Sequence, residues 1–389
     1  MRRRFAIITE IIAPYRIPVF NALAKQGDVD LHVIFLSETD PSLRQWEIYN
    51  QEIQFSYEVL PAWRARICNY NVLMNRGLAR ALDHCDPDVL VCGGYSYVAS
   101  WQALAWAKLR HVPIALWVES TQNDRRRALP PVEMAKRFFI RSCDAFLVPG
   151  SASKQYLVDL GAAPDQIVLA PNAVDVRLFS AGANHAREND AAIRSKWQLP
   201  RRYFVFAGRL VEYKGIFDLL DAYAQLPAEL RREIGLVYVG DGDARSELLR
   251  RAAMVSPGVV RVVGFRQRDE LPNFYGLAEA LVMPSHNDAW GLVVNEAMAC
   301  RLPVIASDVI GCVRDLVHNG ENGFVVSAHN VGGLAEAMQR VAVDRLCAIA
   351  MGRRSLELIA NYTPEKCAAG FSSLRFDNLS GAATWKLIA

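Results

Sequence analysis

Residues 203–226 read YFVFAGRLVEYKGIFDLLDAYAQL. Five apolar residues run unbroken from Tyr203 to Ala207. A loop bounded by Gly208 and Gly215 follows, and a helical pattern takes over from GIFDLL onward. An uninterrupted apolar run leading through a short loop into a helix marks a strand buried on both faces, as in a parallel sheet. The loop carries two cations, Arg209 and Lys214, at the carboxyl end of that strand. In open α/β sheets this is the edge where ligands bind. Arginine offers a planar fork of donors and lysine a point charge, a pairing suited to a diphosphate. On this segment alone, a strand–helix loop with solvated charges is the better explanation of these residues.

The same alternation runs in both directions. Towards the carboxyl terminus come GLVYVG (235–240), VVRVVG (259–264), ALVMP (280–284), PVIAS (303–307) and GFVV (323–326). Towards the amino terminus stand FAIIT (5–9), LHVIFL (31–36), DVLVC (88–92), IALWV (114–118) and AFLVP (145–149). PVFNALAKQ (18–26) and YVASWQALAWAKLR (97–110) carry helical periodicity between them. The alternation pauses over 173–200, which reads as an interdomain linker with one short helix. The expected architecture is therefore α/β, with two doubly wound parallel-sheet domains over residues 1–180 and 181–362. A terminal segment, 363–389, opens with Thr363 as cap and Pro364 at the first helical position, and is expected to return to the first domain.

Composition agrees with a globular chain of this kind. The 389 residues are 52% hydrophobic and 22% charged, with a net charge of +3. Neither half is a polyelectrolyte, since 20 basic and 18 acidic residues precede residue 181. Bulk nucleic-acid binding is not expected, and anion binding must be local. No G-x-G-x-x-G follows the first strand, which argues against a nicotinamide dehydrogenase. The eight cysteines show no C-x-x-C spacing, so reduced thiols and no zinc site are expected. Three arginines precede the apolar run at the N-terminus, but Thr9 and Glu10 interrupt it and no cleavage pattern follows. No run approaches about 18 apolar residues, so no transmembrane helix is expected. A cytoplasmic location follows as an expectation.

A second constellation follows ALVMP: Ser285-His286-Asn287-Asp288-Ala289-Trp290-Gly291-Leu292-Val293-Val294-Asn295-Glu296. A helix should start near Gly291, and the free N–H groups of its first turn make an anion site. Asp288 and Glu296 flank that start, eight residues apart. Carboxylates accept hydrogen bonds from paired hydroxyls, so one suits a sugar and the other a ribose.

Taken together, G-R-L-x(3)-K-G, D-x(7)-E and E-A-M-A-C-x-x-P-V-I-A-S closely resemble the C-terminal domain of family 4 (group 1) retaining glycosyltransferases. The resemblance is strong over 200–330 and continues in layout through the first half. It implies the GT-B fold, two Rossmann-like domains facing a central cleft. It also implies a hexosyltransferase-type enzyme (EC 2.4) that moves a sugar from a nucleotide donor to an acceptor hydroxyl with retention of configuration. Polysaccharide, lipopolysaccharide or glycolipid assembly of the bacterial type is the implied setting. The donor would be of the UDP or GDP type.

By this resemblance Arg209 and Lys214 bind the donor diphosphate, Glu296 holds the ribose and Asp288 faces the donor sugar. Gly208, Trp290, Gly291 and Leu292 line the donor, and Gly264-Phe265 lie where the nucleobase packs. No cofactor and no metal ion are expected, because the cations meet the diphosphate. Gly240-Asp241-Gly242-Asp243 contains a D-x-D triplet but reads as a strand–turn. Two departures stand out. The first acid is Asp288 where the family has Glu. The loop after the first strand, Glu10-Ile11-Ile12-Ala13-Pro14-Tyr15-Arg16, lacks the usual Gly-Gly, and Pro14 offers no amide. Tyr15 and Arg16 are candidates for the acceptor side. Glu119, where a His often stands, either faces the acceptor or begins a helix.

Arg125, Arg126, Arg127, Lys136, Arg137 and Arg141 crowd the stretch 125–141, interleaved with Phe138, Phe139 and Ile140. Such a mix suits an anionic bilayer surface and a lipid-linked or saccharide acceptor, with the enzyme peripheral on the inner membrane face. A solvated helix with an apolar underside fits the same residues. Two further readings stay open: another nucleotide-sugar enzyme of this architecture, an epimerase or phosphorylase, and a non-catalytic nucleotide-sugar-binding subunit.

Overall fold

A computed structural model describes residues 2–40, 45–67, 70–124 and 130–376. Fifteen strands lie among them: β1 Arg3–Thr9, β2 Val29–Phe35, β3 Ser56–Val59, β4 Ala62–Ile67, β5 Tyr70–Asn75, β6 Val89–Cys92, β7 Ile114–Trp117, β8 Ala145–Val148, β9 Ile167–Leu169, β10 Arg202–Ala207, β11 Ile234–Val239, β12 Val260–Val262, β13 Ala280–Met283, β14 Val304–Ser307 and β15 Gly323–Val326. They form a seven-stranded sheet ordered β3-β2-β1-β6-β7-β8-β9, a six-stranded sheet ordered β12-β11-β10-β13-β14-β15, and a β4-β5 hairpin. Every pairing within the two large sheets is parallel. The fold is the two-domain α/β arrangement expected.

The apolar runs fill cores on both faces because successive strand side chains point opposite ways. In β10, Tyr203, Val205 and Ala207 enter one core while Phe204 and Phe206 enter the other. In β1, Ala6 and Ile8 face one side, Phe5 and Ile7 the other. Helices cover both faces of each sheet.

The structure corrects the reading of 173–200. This is not a linker with one short helix but two helices, Val176–Glu188 and Asp190–Trp197. The first is capped by Asp175, whose carboxylate accepts from Leu178 N at 3.0 Å. It lays Phe179, Ala183 and Ala186 into the core of the second sheet. The helix Pro364–Ser372, with Thr363 as cap, packs on the helix Ile17–Ala24 of the first domain. Phe371 sits edge-on to Trp117 at 4.9 Å, and Arg3 donates to the Leu374 carbonyl at 3.0 Å.

Candidate donor site between the domains

The loop after β10 is shaped by glycines. Gly215 has φ +68°, and a Cβ there would lie 2.0 Å from the carbonyl oxygen of Pro284. The first cationic loop therefore rests directly on the end of β13, an approach that only glycine permits. The loop after β13 is tied to the same place, because His286 N donates to the Tyr213 carbonyl at 2.8 Å. On its other side, Gly311 N donates to Asp288 O at 3.0 Å and Cys312 N to Trp290 O at 3.1 Å. Three loops at the carboxyl edge of the second sheet thus form one unit.

Side chains complete it. Lys214 Nζ pairs with Asp288 Oδ2, and both side chains are largely buried. Arg209, half-buried at the same edge, forms no side-chain hydrogen bond or ion pair among the described residues. The helix Leu292–Ala299 starts at Gly291 (φ +88°), with no side chain capping it and no acid in its first turn. Its first N–H groups carry the positive end of the helix dipole.

Glu296 lies within this helix. Its Oε2 accepts from the hydroxyl of Tyr275 at 2.8 Å. Burial lifts the carboxyl from its ordinary value of 4.5 to about 7, with the tyrosine bond opposing. The Trp290 ring is turned into the core, where its Nε1 donates to Asn295 Oδ1 at 3.0 Å. Asn295 Nδ2 in turn donates to the Asn172 carbonyl of the first domain at 2.8 Å. Trp290 can offer a ligand only its backbone. Gly264 (φ +81°) binds Gly240 N through its carbonyl at 2.9 Å, and Phe265 stands half-buried beside it. The Gly240–Asp243 segment is a turn knit to the same loop, with Leu210 N donating to Asp241 O at 2.9 Å.

On the facing domain, Arg16 Nη2 donates to Glu119 Oε1 at 2.8 Å, and its guanidinium lies 3.7 Å over the Trp117 ring. Tyr15 is edge-on to Trp46 at 6.0 Å. The sequence left Glu119 between two roles; its side chain is the partner of Arg16, at the ends of β1 and β7. Arg16 Nη1 is buried without a hydrogen-bond partner among the described residues, as are Asn172 Nδ2, Ser285 Oγ and Asn287 Oδ1. Unpaired buried polar atoms are costly and mark places where a ligand or water completes the bonding.

The domains touch through polar bonds: Ser151 N to Asp315 Oδ2 (3.0 Å), Asn123 Nδ2 to Val309 O (2.9 Å), and Arg268 to both oxygens of Glu52 (2.9 and 2.5 Å). Tyr275, Asn295, Asn172 and Asp315 were not singled out from sequence. Each acts through a contact made only in the fold, and no spacing announces it. Arg125, Arg126 and Arg127 lie outside the described residues.

Comparison with known proteins places the chain by family and fold. The model "Glycosyltransferase Family 4" matches residues 19–178 and "Glycosyl transferases group 1" matches 189–355. The chain is 32% identical over 233 residues to a D-inositol 3-phosphate glycosyltransferase of Streptomyces bingchenggensis, covering 57% of this chain and 50% of that one. It is 28% identical over 278 residues to an alpha-D-kanosaminyltransferase of Streptomyces kanamyceticus, covering 68% of this chain and 68% of that one. The first match thus spans half the length of that curated relative. Among solved structures, the Anabaena protein HepE with UDP and glucose superposes with a TM-score of 0.74 at 17% identity, over 96% of this chain and 100% of that one. The two family models together span both domains, and the chain belongs to the group 1, family 4 glycosyltransferases of the GT-B fold.

Proposed function

We propose that this glycosyltransferase takes a sugar from a UDP- or GDP-linked donor held by the second domain and passes it, with retention of anomeric configuration, to an acceptor hydroxyl presented by the first. The observation that carries this reading is the convergence of Arg209, Lys214 and the uncapped Gly291 helix start on one edge, with carboxylates Asp288 and Glu296 beside them. The cations and the helix dipole stabilise charge on the leaving diphosphate, usually the largest catalytic term. They meet that charge without a divalent ion. Glu296 accepts from the ribose hydroxyls and Asp288 from the sugar. Gly208, Gly291 and Leu292 bring backbone to the donor, and Gly264 and Phe265 flank the base.

The acceptor side is assigned to Tyr15, Arg16 and Glu119, with the unpaired Arg16 Nη1 as support. A saccharide or lipid-linked acceptor in bacterial-type glycan or glycolipid assembly is the substrate class proposed. The helix Pro130–Ser142 exposes Met134 (72%) and Phe138 (53%) beside Arg137 and Arg141, which supports docking on an anionic inner membrane face from the cytoplasm. No helix among the described residues is long and apolar enough to cross a membrane.

The test incubates the protein with UDP- and GDP-sugars, without and with a polyprenyl-phosphate-linked saccharide. Release of nucleotide diphosphate, together with a product whose anomeric coupling matches the donor, is expected. Binding of donor with no hydrolysis and no transfer would mean a binding subunit, and an inverted product would remove the retaining assignment.

A further inference from the structure

Three side chains meet on the second sheet's carboxyl edge, beside the donor loops and outside the roles given above. Asp218 comes from the first turn of the helix Ile216–Gln225, His286 from the loop after β13, and His329 from the loop after β15. His286 Nε2 lies 2.8 Å from Asp218 Oδ2, and His329 Nδ1 lies 3.8 Å from the same oxygen. The two imidazoles face each other with centroids 3.7 Å apart. One ligand atom from each residue falls within 4.8 Å of the others.

Several features set this cluster apart from a chance surface pairing. His286 and Asp218 are mostly buried, at 18% and 22% side-chain exposure. His329 holds a left-handed backbone at φ +64°, a conformation few non-glycine residues adopt, and this brings its ring over His286. A cavity of about 10 Å³ adjoins the cluster, lined by Asp218, Ser307 and His329 among others, room for about one water. The Asp218 carboxylate meets one imidazole nitrogen at hydrogen-bonding distance, 2.8 Å, and a second at 3.8 Å, too far for a hydrogen bond. A cation between them satisfies all three at once.

We propose that Asp218, His286 and His329 bind a divalent transition-metal ion of the zinc class. Two imidazole nitrogens and one carboxylate form a borderline donor set that favours Zn²⁺, Co²⁺, Ni²⁺ or Cu²⁺ over Mg²⁺ or Ca²⁺. With Zn–N near 2.0 Å, tetrahedral ligand atoms stand about 3.3 Å apart, and the 2.8 and 3.8 Å separations bracket that value. Three protein ligands leave one position for water. The ion takes no part in sugar transfer. It clasps the loops instead, since His286 N is bonded to Tyr213 O, next to Lys214, while His286 lies two residues before Asp288. Ion binding stands independently of the donor-site reading, and only the clasp rests on it.

The test uses chelator-treated full-length protein titrated with Co²⁺, read by visible d–d absorption, and with Zn²⁺ in competition. One tight equivalent is expected. His329→Gly removes a ligand and also relieves the left-handed backbone, so a folding defect is not expected; it should weaken Co²⁺ binding at least tenfold, as should Asp218→Asn. No stoichiometric binding, or binding unchanged in both variants, would overturn the site. The clasp is tested by melting midpoint and by UDP affinity with and without Zn²⁺. A higher midpoint and a changed UDP affinity support it, while a bound ion that alters neither overturns the clasp alone.

Discussion

Lys214 and Asp288 are joined by an ion pair, with side chains only 17% and 15% exposed, and each comes from a different loop. The cation assigned to the diphosphate is therefore already held by the acid assigned to the sugar. On the proposed reading, a donor arriving between them would share this bond rather than meet free charges. Such a pair pre-positions the lysine, and removing one partner strands the other in a poorly solvated place.

The two residues should accordingly be coupled. Lys214→Ala and Asp288→Ala should each destabilise the protein, and the double variant should be less unstable than the sum by about 0.5–3 kcal/mol, as for residues in contact. Urea unfolding of the four proteins gives the number. For turnover, Arg209→Ala or Lys214→Ala should each lower kcat at least about tenfold, roughly 1.4 kcal/mol of barrier. Strict additivity in the unfolding cycle would show that the pair contributes nothing.

Glu296 predicts a pH dependence. Its carboxyl titrates near 7 in the folded protein against an ordinary 4.5, because burial disfavours the charged form. The folded state therefore binds this proton more tightly than the unfolded state. The penalty is absent below about pH 4.5, grows through the interval, and is complete above about 7, amounting to at most about 3 kcal/mol. Ribose hydroxyls donating to the carboxylate favour its ionised form, so nucleotide binding should release a proton. Affinity should rise with pH towards 7, by at most about tenfold per unit, and then level. Calorimetry between pH 5.5 and 8 reads this. Glu296→Gln should bind more weakly with a flat profile, and an unchanged slope in that variant would remove Glu296 from the site.

Gly215 tests the contact between the donor loops. A Cβ there meets Pro284 O at 2.0 Å in a left-handed backbone, whereas Gly77 is also left-handed (φ +87°) with nothing within 4 Å. Gly77→Ala should cost about 1–2 kcal/mol from the backbone alone. Gly215→Ala should cost more and also weaken nucleotide binding, because the loop must move away from β13. Equal losses in urea unfolding would mean that the close approach does not matter.

Membrane docking is tested on the helix Pro130–Ser142. Replacing Met134 and Phe138 by Ser, together with Lys136, Arg137 and Arg141, should abolish co-sedimentation with vesicles rich in anionic lipid while leaving UDP affinity unchanged. Binding to vesicles that survives these changes would refute this surface.

The parallel strands were legible because near-continuous apolar runs such as YFVFA and GLVYVG admit few other readings. The strands passed over were β3, a four-residue edge strand with no buried residue, the β4-β5 hairpin, whose arginines and asparagines break the apolar run, and the three-residue β9. The segment 173–200 looked like linker because its helices bury few residues, Phe179, Ala183 and Ala186 in the first and Ile193 in the second, among many polar ones. At the site, the cations and acids were visible from their spacing around two loops. Their partners were not. Tyr275 meets Glu296 across 21 residues and Asn295 meets Asn172 across 123, separations that only the folded sheet closes.

The central claim is that the loops after β10 and β13 hold the donor's nucleoside diphosphate. Titration calorimetry of UDP and GDP into the wild-type protein, Arg209→Ala and Lys214→Ala measures it most directly. One site for at least one of the two nucleotides is expected, weakened at least about tenfold, or 1.4 kcal/mol, in both variants. Binding of neither nucleotide, or equal affinity in all three proteins, would contradict the account.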